Sequence, residues 1–412
     1  MWAEGPRRER WPPPSRCSVH GGLLLLLLVL PVGLLGQEVD LDSAEVPEWA
    51  LGEELLRIGS LDGPDDAFVG IGQVTLDEEG RIYVLDPRYP ALKVFDPDGG
   101  FSHQIGRAGD GPGEYRVPGP FGLLGDTVWI GDQNSGTISF FLRDGSALDA
   151  VTLQGEGPGS APPSLMRVHG RSDFLVATPS GPTDLLDLGP GPVQFTQWLV
   201  RRGRDAAPQD TVGSYLAQPG LMVLPGGSAL TYPRISDAPL LGYVADRDLV
   251  LEVERPIAST PEEGIFRVTA RDRAGGQSSS RSFRYRPVEI PPSSRDSLMA
   301  VVLDRVPDGS EARAVVEQAS PVPRFLPPVT SLRRSGATDM LWVSREWMQG
   351  VVPHRRYAAL SEDLRLLATL ELPPRARLVG QYDDRSIWVV ERDEFDVETL
   401  VRYELIAAPG PG

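Results

Sequence analysis

Apolar and polar residues alternate in short runs along most of the chain. Gln73-Val74-Thr75-Leu76 is followed by a polar turn at 77–80, and residues 81–85 form a second run. Residues 92–95 and 101–105 supply two more, parted by Asp96-Pro97-Asp98-Gly99. Runs of four or five residues with period two, bounded by Asp, Pro and Gly, read as strands. A strand turns successive side chains to opposite faces, and the bounding residues take turn conformations readily. The same reading predicts strands over 127–132, 174–177, 197–201, 228–232, 242–245, 249–254, 340–343, 356–358, 386–390 and 400–403. Helical spacing is confined to 294–303 and 310–318, where Leu298, Val301 and Val302 share one side. The 45 Gly and 40 Pro are scattered over the 412 residues, as many short strands require.

The strands recur in register. Residues 81–86 overlay 127–132 at an offset of 46, which also brings Phe95 onto Phe141 and Asp98-Gly99 onto Asp144-Gly145. Gly109–Gly113 falls on Gly155–Gly159, and one further step places Trp129-Ile130 on Leu175-Val176. Four short strands per unit of 40-odd residues are the signature of a propeller blade. The expected fold is all-β: a six-bladed β-propeller of four-stranded antiparallel blades, with a small helical and β insertion before the last two blades. Residues 53–405 carry it, after a lead-in at 37–52 and before a tail at 406–412. The insertion is assigned to about 256–322, where residues 267–269 and 282–285 read as outer strands. Residues 55–58 are a spare strand, and the last unit is one strand short. Pairing the two would close the ring and remove exposed edges.

Composition narrows the setting. Arg7, Arg8, Arg10 and Arg16 precede an unbroken Leu/Val run at 23–30, the layout of a secretory leader cleaved after Gly36. That run is shorter than the roughly 20 residues a membrane span needs. The expectation is export to the periplasm or outside the cell, with no stable membrane insertion after cleavage. Cys17, the single cysteine, precedes the apolar run, so the mature chain has no thiol for a disulfide or a metal. The net charge of −17 makes the chain a poor candidate for nucleic acid, which requires clustered positive charge. Lys93 is the one lysine, so nearly every cation is Arg.

The strand ending in Phe95, the Asp96-Pro97-Asp98-Gly99 turn, Gly106-Arg107 and the stretch from Gly109 to Tyr115 together resemble the NHL-type repeat. With the late Leu341-Trp342-Val343 and the acidic Asp393–Glu398, the pattern is similar to exported six-bladed propellers of environmental bacteria. That resemblance spans about 50–405 and implies the fold. It implies little about activity, because propellers host binding modules and enzymes alike.

Turns after the second and fourth strands of a blade open on one face. There Arg88, Tyr89, Arg345, Trp347 and His354 are the candidate contact residues, since Arg and aromatic groups carry interface energy. Asp86, Asp132 and Asp246 end second strands; a carboxylate there accepts turn amides, and a Ca²⁺ ring is the weaker reading. No two histidines have metal-ligand spacing, no Ser lies in a nucleophile elbow, and His169 is the best single candidate for a base. Trp129, Trp342 and Trp388 occupy matching positions and read as packing between blades. The expectation is a monomeric binding or scaffolding module for a protein, peptide or glycan, without catalytic residues, metal or cofactor. A hydrolase or lyase in the central channel is the alternative.

Overall fold

A computed structural model describes residues 38–60, 63, 65–155, 162–179, 189–204, 208–217, 220–231, 235, 237–244, 249–272, 276–319, 322–334, 340–349 and 352–408. The leader at 1–36, Gly155–Gly159 beyond Gly155, and Asp246 lie outside them.

Six four-stranded antiparallel units follow one another. The first is Val74–Leu76, Ile82–Asp86, Ala91–Phe95 and Phe101–Ile105; the second is Pro118–Leu124, Thr127–Asp132, Thr137–Leu142 and Ala147–Thr152. The third is Ser164–Gly170, Asp173–Pro179, Phe195–Arg202 and Pro208–Ala217. Leu240–Val244, Leu249–Glu254, Gly264–Arg271 and Gln277–Tyr285 make the fourth, and Ser331–Arg334, Leu341–Gln349, Val352–Leu360 and Leu366–Leu372 the fifth. The sixth has three strands late in the chain, Arg377–Gly380, Ser386–Arg392 and Glu398–Ala407, and takes Glu48–Ile58 as its fourth. That strand pairs antiparallel with the chain's last strand, Ile58 opposite Leu400 and Arg57 opposite Val401. Both irregularities of the repeat are thus resolved by one pairing.

The 46-residue register holds at atomic level. In the first blade the Gly99 amide donates to Asp96 O at 2.9 Å; in the second, Gly145 donates to Leu142 O at 3.0 Å. Both glycines have φ of 88°, where a side chain would be strained.

The core is divided among the blade interfaces. Trp388, Ile58, Val74 and Ile82 pack the sixth blade on the first. Tyr83, Leu85, Phe121 and Val128 join the first and second, and Trp129, Phe140, Val168 and Phe174 the second and third. Leu175, Leu199 and Val250 join the third to the fourth. Phe266, Phe283, Val343 and Leu360 join the fourth to the fifth, and Trp342, Leu370, Leu378 and Ile387 the fifth to the sixth. Six interfaces for six blades mean a closed ring. Trp129, Trp342 and Trp388 are each at most 1% exposed, one to an interface, as their repeat positions predict.

Two assignments differ from the sequence reading. Gly264–Arg271 and Gln277–Tyr285 are not insertion strands: the first pairs with Leu249–Glu254, the second pairs with the first, and together they complete the fourth blade. Their inward positions, Phe266, Val268, Ala270 and Phe283, are buried, and the polar Ser and Arg residues between them had hidden the period. Conversely, residues 228–231 of the strand expected at 228–232 are not part of that blade. Ala229–Thr231 pairs with Leu221–Val223 in a small separate sheet, on which helices Pro292–Leu303 and Glu311–Ala319 pack through Met222, Leu230, Val302 and Val316. The true insertion therefore comes from three connections: one within the third blade, whose Gly191–Pro192 pairs with Met222 and Val223, and one on either side of the fourth blade.

The N-terminal segment runs over three blades. Val39–Asp40 adds a parallel strand to Gln277–Tyr285 of the fourth, Glu48 and Trp49 pair with Thr369 and Leu370 of the fifth, and the rest closes the sixth.

Candidate functional site

Strand alternation puts the turns after second strands and the connections after fourth strands on one face. Asp86 shapes that face on the first blade. Its Oδ1 accepts the amides of Arg88 and Tyr89, both at 3.0 Å, and its Oδ2 accepts the Val69 amide at 2.8 Å. With the carboxylate buried beneath them, the side chains of Val69 and Tyr89 stand outward, 56% and 59% exposed. Arg88 lies beside them, its stem over Gly70, where an added β-carbon would come within 3.2 Å of Cδ. Arg88 makes no ion pair among the described residues.

Asp132 repeats the arrangement on the second blade. Asn134 and Ser135 donate to Oδ1 at 2.8 and 3.1 Å, and Arg116 and Val117 to Oδ2 at 2.7 and 3.3 Å. Val117 is left 45% exposed. Asp86 and Asp132 are thus spent on backbone amides, and among the described residues no group of three metal-ligating side chains exists.

On the sixth blade Asp393 Oδ1 accepts the amides of Phe395 and Val397 at 2.8 and 2.9 Å, and Asp396 takes a φ of 64°. The tight turn pushes Phe395 out to 80% exposure. Glu398, just beyond, ties this blade to the next: it accepts the Ile71 amide at 2.7 Å and pairs with Arg392 at 2.6 Å and Arg377 at 3.2 Å. Burial raises the Glu398 carboxyl, but these bonds and charges hold it below its usual range.

The remaining candidates lie on the fifth blade and differ from expectation. Residues 345–349 and 352–354 are not a loop: the strands Leu341–Gln349 and Val352–Leu360 extend through them, held by the Glu346–Arg355 pair at 2.7 Å. Arg345 is committed to the fold. It pairs with Asp42 at 2.8 Å, donates to Arg286 O at 3.1 Å and lies 5.2 Å from the Tyr285 ring centroid. His354 is half-buried opposite Trp347, whose side chain lies outside the described residues. Arg88 and Tyr89 therefore share their face with Val69, Val117 and Phe395, which sequence reasoning missed. One signal was present: Phe395 interrupts an acidic turn, an uncommon place for a large apolar group.

The channel is bounded by the innermost strand of each blade. A cavity of about 480 Å³ there is lined by Thr75, Arg167, Tyr243, Arg333, Arg334 and Tyr382, among others. His169, on the third blade's inner strand, meets Tyr243 of the fourth edge-on at 4.8 Å, with Nδ1 3.2 Å from the hydroxyl.

The fold and face define an all-β six-bladed propeller with an apolar rim over three consecutive blades. Residues 58–123 match a family model described as a six-bladed β-propeller. Among solved structures the chain is similar to a Bacteroides fragilis protein classed provisionally as exported, at 12% identity, covering 90% of this chain and 99% of that one with a TM-score of 0.49. Virginiamycin B lyase from Staphylococcus aureus is similar at 13% identity, 87% and 99% coverage and a TM-score of 0.41. No curated protein matches the chain in sequence.

Proposed function

We propose that this protein is an exported binding module that docks a protein or peptide through the rim over its sixth, first and second blades. The observation that carries the reading is the placement of Phe395, Tyr89, Val69 and Val117. Among the described residues they are four of the six most exposed large apolar side chains, and all stand on one face in turns and connections of consecutive blades. Contiguous exposed apolar groups mark interaction sites, whereas single ones are ordinary. Branched aliphatic groups beside Tyr and an unpaired Arg suit a polypeptide better than a glycan, which is gripped by flat aromatic platforms with polar neighbours. The basic and apolar leader at 1–36 supports export.

Catalysis in the channel is supported less well. His169 and Tyr243 make one polar pair, but the described lining brings no carboxylate to it, and acid–base chemistry needs converging titratable groups.

The test is a double variant, Tyr89→Ala with Phe395→Ala, assayed against the partner recovered by crosslinking from residue 89. The expected result is at least a tenfold loss of affinity with the melting temperature unchanged. Undiminished binding, or a crosslinked partner that proves to be a glycan, overturns the reading.

A further inference from the structure

The chain carries 57 acidic residues against 40 Lys and Arg, yet the channel reverses that balance. Its described lining includes Arg167, Arg333 and Arg334, with no Asp or Glu. A cleft lined by one sign of charge focuses its field and gathers counter-ions. Arg333 is the decisive residue. It lies on the inner strand of the fifth blade, half-buried, and makes no ion pair among the described residues. Other arginines are engaged, as Arg57 is with Glu54 and Glu391 and Arg284 with Glu38, although Arg88 on the rim makes no ion pair among the described residues.

Among the described residues no carboxylate pairs with Arg333. A charged neighbour is Arg377 on the adjacent inner strand, and the carboxylate of Arg377 is Glu398, which Arg392 shares. Burial lowers the Arg377 pKa, and the positive charge of Arg333 lowers it further. Tyr382, which bounds the same cavity, donates its hydroxyl to Val74 O and is neutral, so it supplies no counter-charge to Arg333. A partly desolvated guanidinium without a counter-charge costs stability, and an incoming anion removes that cost. Guanidinium presents a planar fork of donors that matches a carboxylate or sulfate in two parallel bonds.

We infer that the central channel binds a small polar oxyanion, a carboxylated or sulfated sugar, with Arg333 as the anion's anchor. The volume, about 480 Å³, lies within the range of small-ligand pockets, roughly 300–1,000 Å³. The hydroxyls of Thr75 and Tyr243 line the cavity around the anchored end. The site is separate from the rim patch and does not depend on it.

Calorimetric titration with glucuronate, glucose 6-sulfate and neutral glucose tests the inference and separates the two oxyanions. At least one anionic probe is expected to bind ten times more tightly than glucose, and to weaken as salt is added. Arg333→Gln is expected to lose that preference without loss of melting temperature, and Arg333→Lys to retain part of it. The rim variant Tyr89→Ala/Phe395→Ala is expected to bind the probe normally. Equal affinity for glucose and both anions in the native protein, no binding of either anion, or undiminished binding in Arg333→Gln overturns it. If Arg333→Gln fails to fold, the native protein's probe preference and Arg333→Lys still decide the matter.

Discussion

Single carboxylates do much of the shaping here. Asp86 and Asp132 each end a second strand and gather amides from two separate segments, their own turn and the incoming connection. Burial by itself raises the Asp132 carboxyl, but amides of Arg116, Ser135, Asn134 and Val117 lower it by more, so it titrates below its ordinary value of 3.8. The unfolded chain then takes up a proton near the ordinary value, while the native chain resists it. The stability from this group is complete above the unfolded pKa and is lost as pH falls through the folded one. Glu398 acts in the same direction. The urea midpoint is therefore expected to drop between roughly pH 5 and pH 3, and to drop less in Asp132→Asn. An equal drop in both proteins would assign the acid sensitivity elsewhere.

At the scale of the element, the second strand is the unit that makes a blade. It is buried throughout in the first blade, residues Ile82–Asp86, and it supplies the large aromatic in the second, fifth and sixth. Trp388 fills the interface between the sixth and first blades, against Ile58, Val74 and Ile82. Truncating it leaves a cavity walled by two sheets that cannot both collapse inward. Trp388→Ala is expected to cost about 3–5 kcal/mol, measured by urea unfolding. A cost under about 1 kcal/mol would mean that the interface closes over the gap. The fourth blade shows what hides an element from inspection. Its outer strands alternate faithfully, but Ser279, Ser280, Arg281 and Ser282 dilute the apolar positions, and only the stacking of Phe283 on Phe266 at 5.1 Å shows which side is inward.

For the molecule as a whole, closure is the governing fact. Residues 38–58 cross the fourth, fifth and sixth blades, and the Arg345–Asp42 pair fastens them midway. Removing 38–47 strips one edge strand and that pair. A modest fall in melting temperature is expected, with the transition still single. Removing 38–58 deletes the sixth blade's fourth strand and exposes its partner's edge. Calorimetry is then expected to show a broad or split transition, and oxyanion binding should vanish because the channel exists only when the ring is shut. A sharp transition in the longer deletion would show that the ring closes without its N-terminal strand.

The sequence by itself determined the strands, the 46-residue repeat, the burial of three tryptophans and the need for a strand from each end to meet. These are short-range or periodic properties: alternation sets which face is buried, and Asp, Gly and Pro set where the chain turns. It also singled out Arg88 and Tyr89, since a turn after a second strand always opens on the same face. Only the tertiary structure decided that Arg345 is spent on Asp42, 303 residues away, and that Phe395 and Val69 adjoin neighbouring blades. It alone assembled the channel, whose lining comes from the inner strands of five blades. No local pattern carries such a composition, because each strand contributes only a few side chains and only ring closure brings them together.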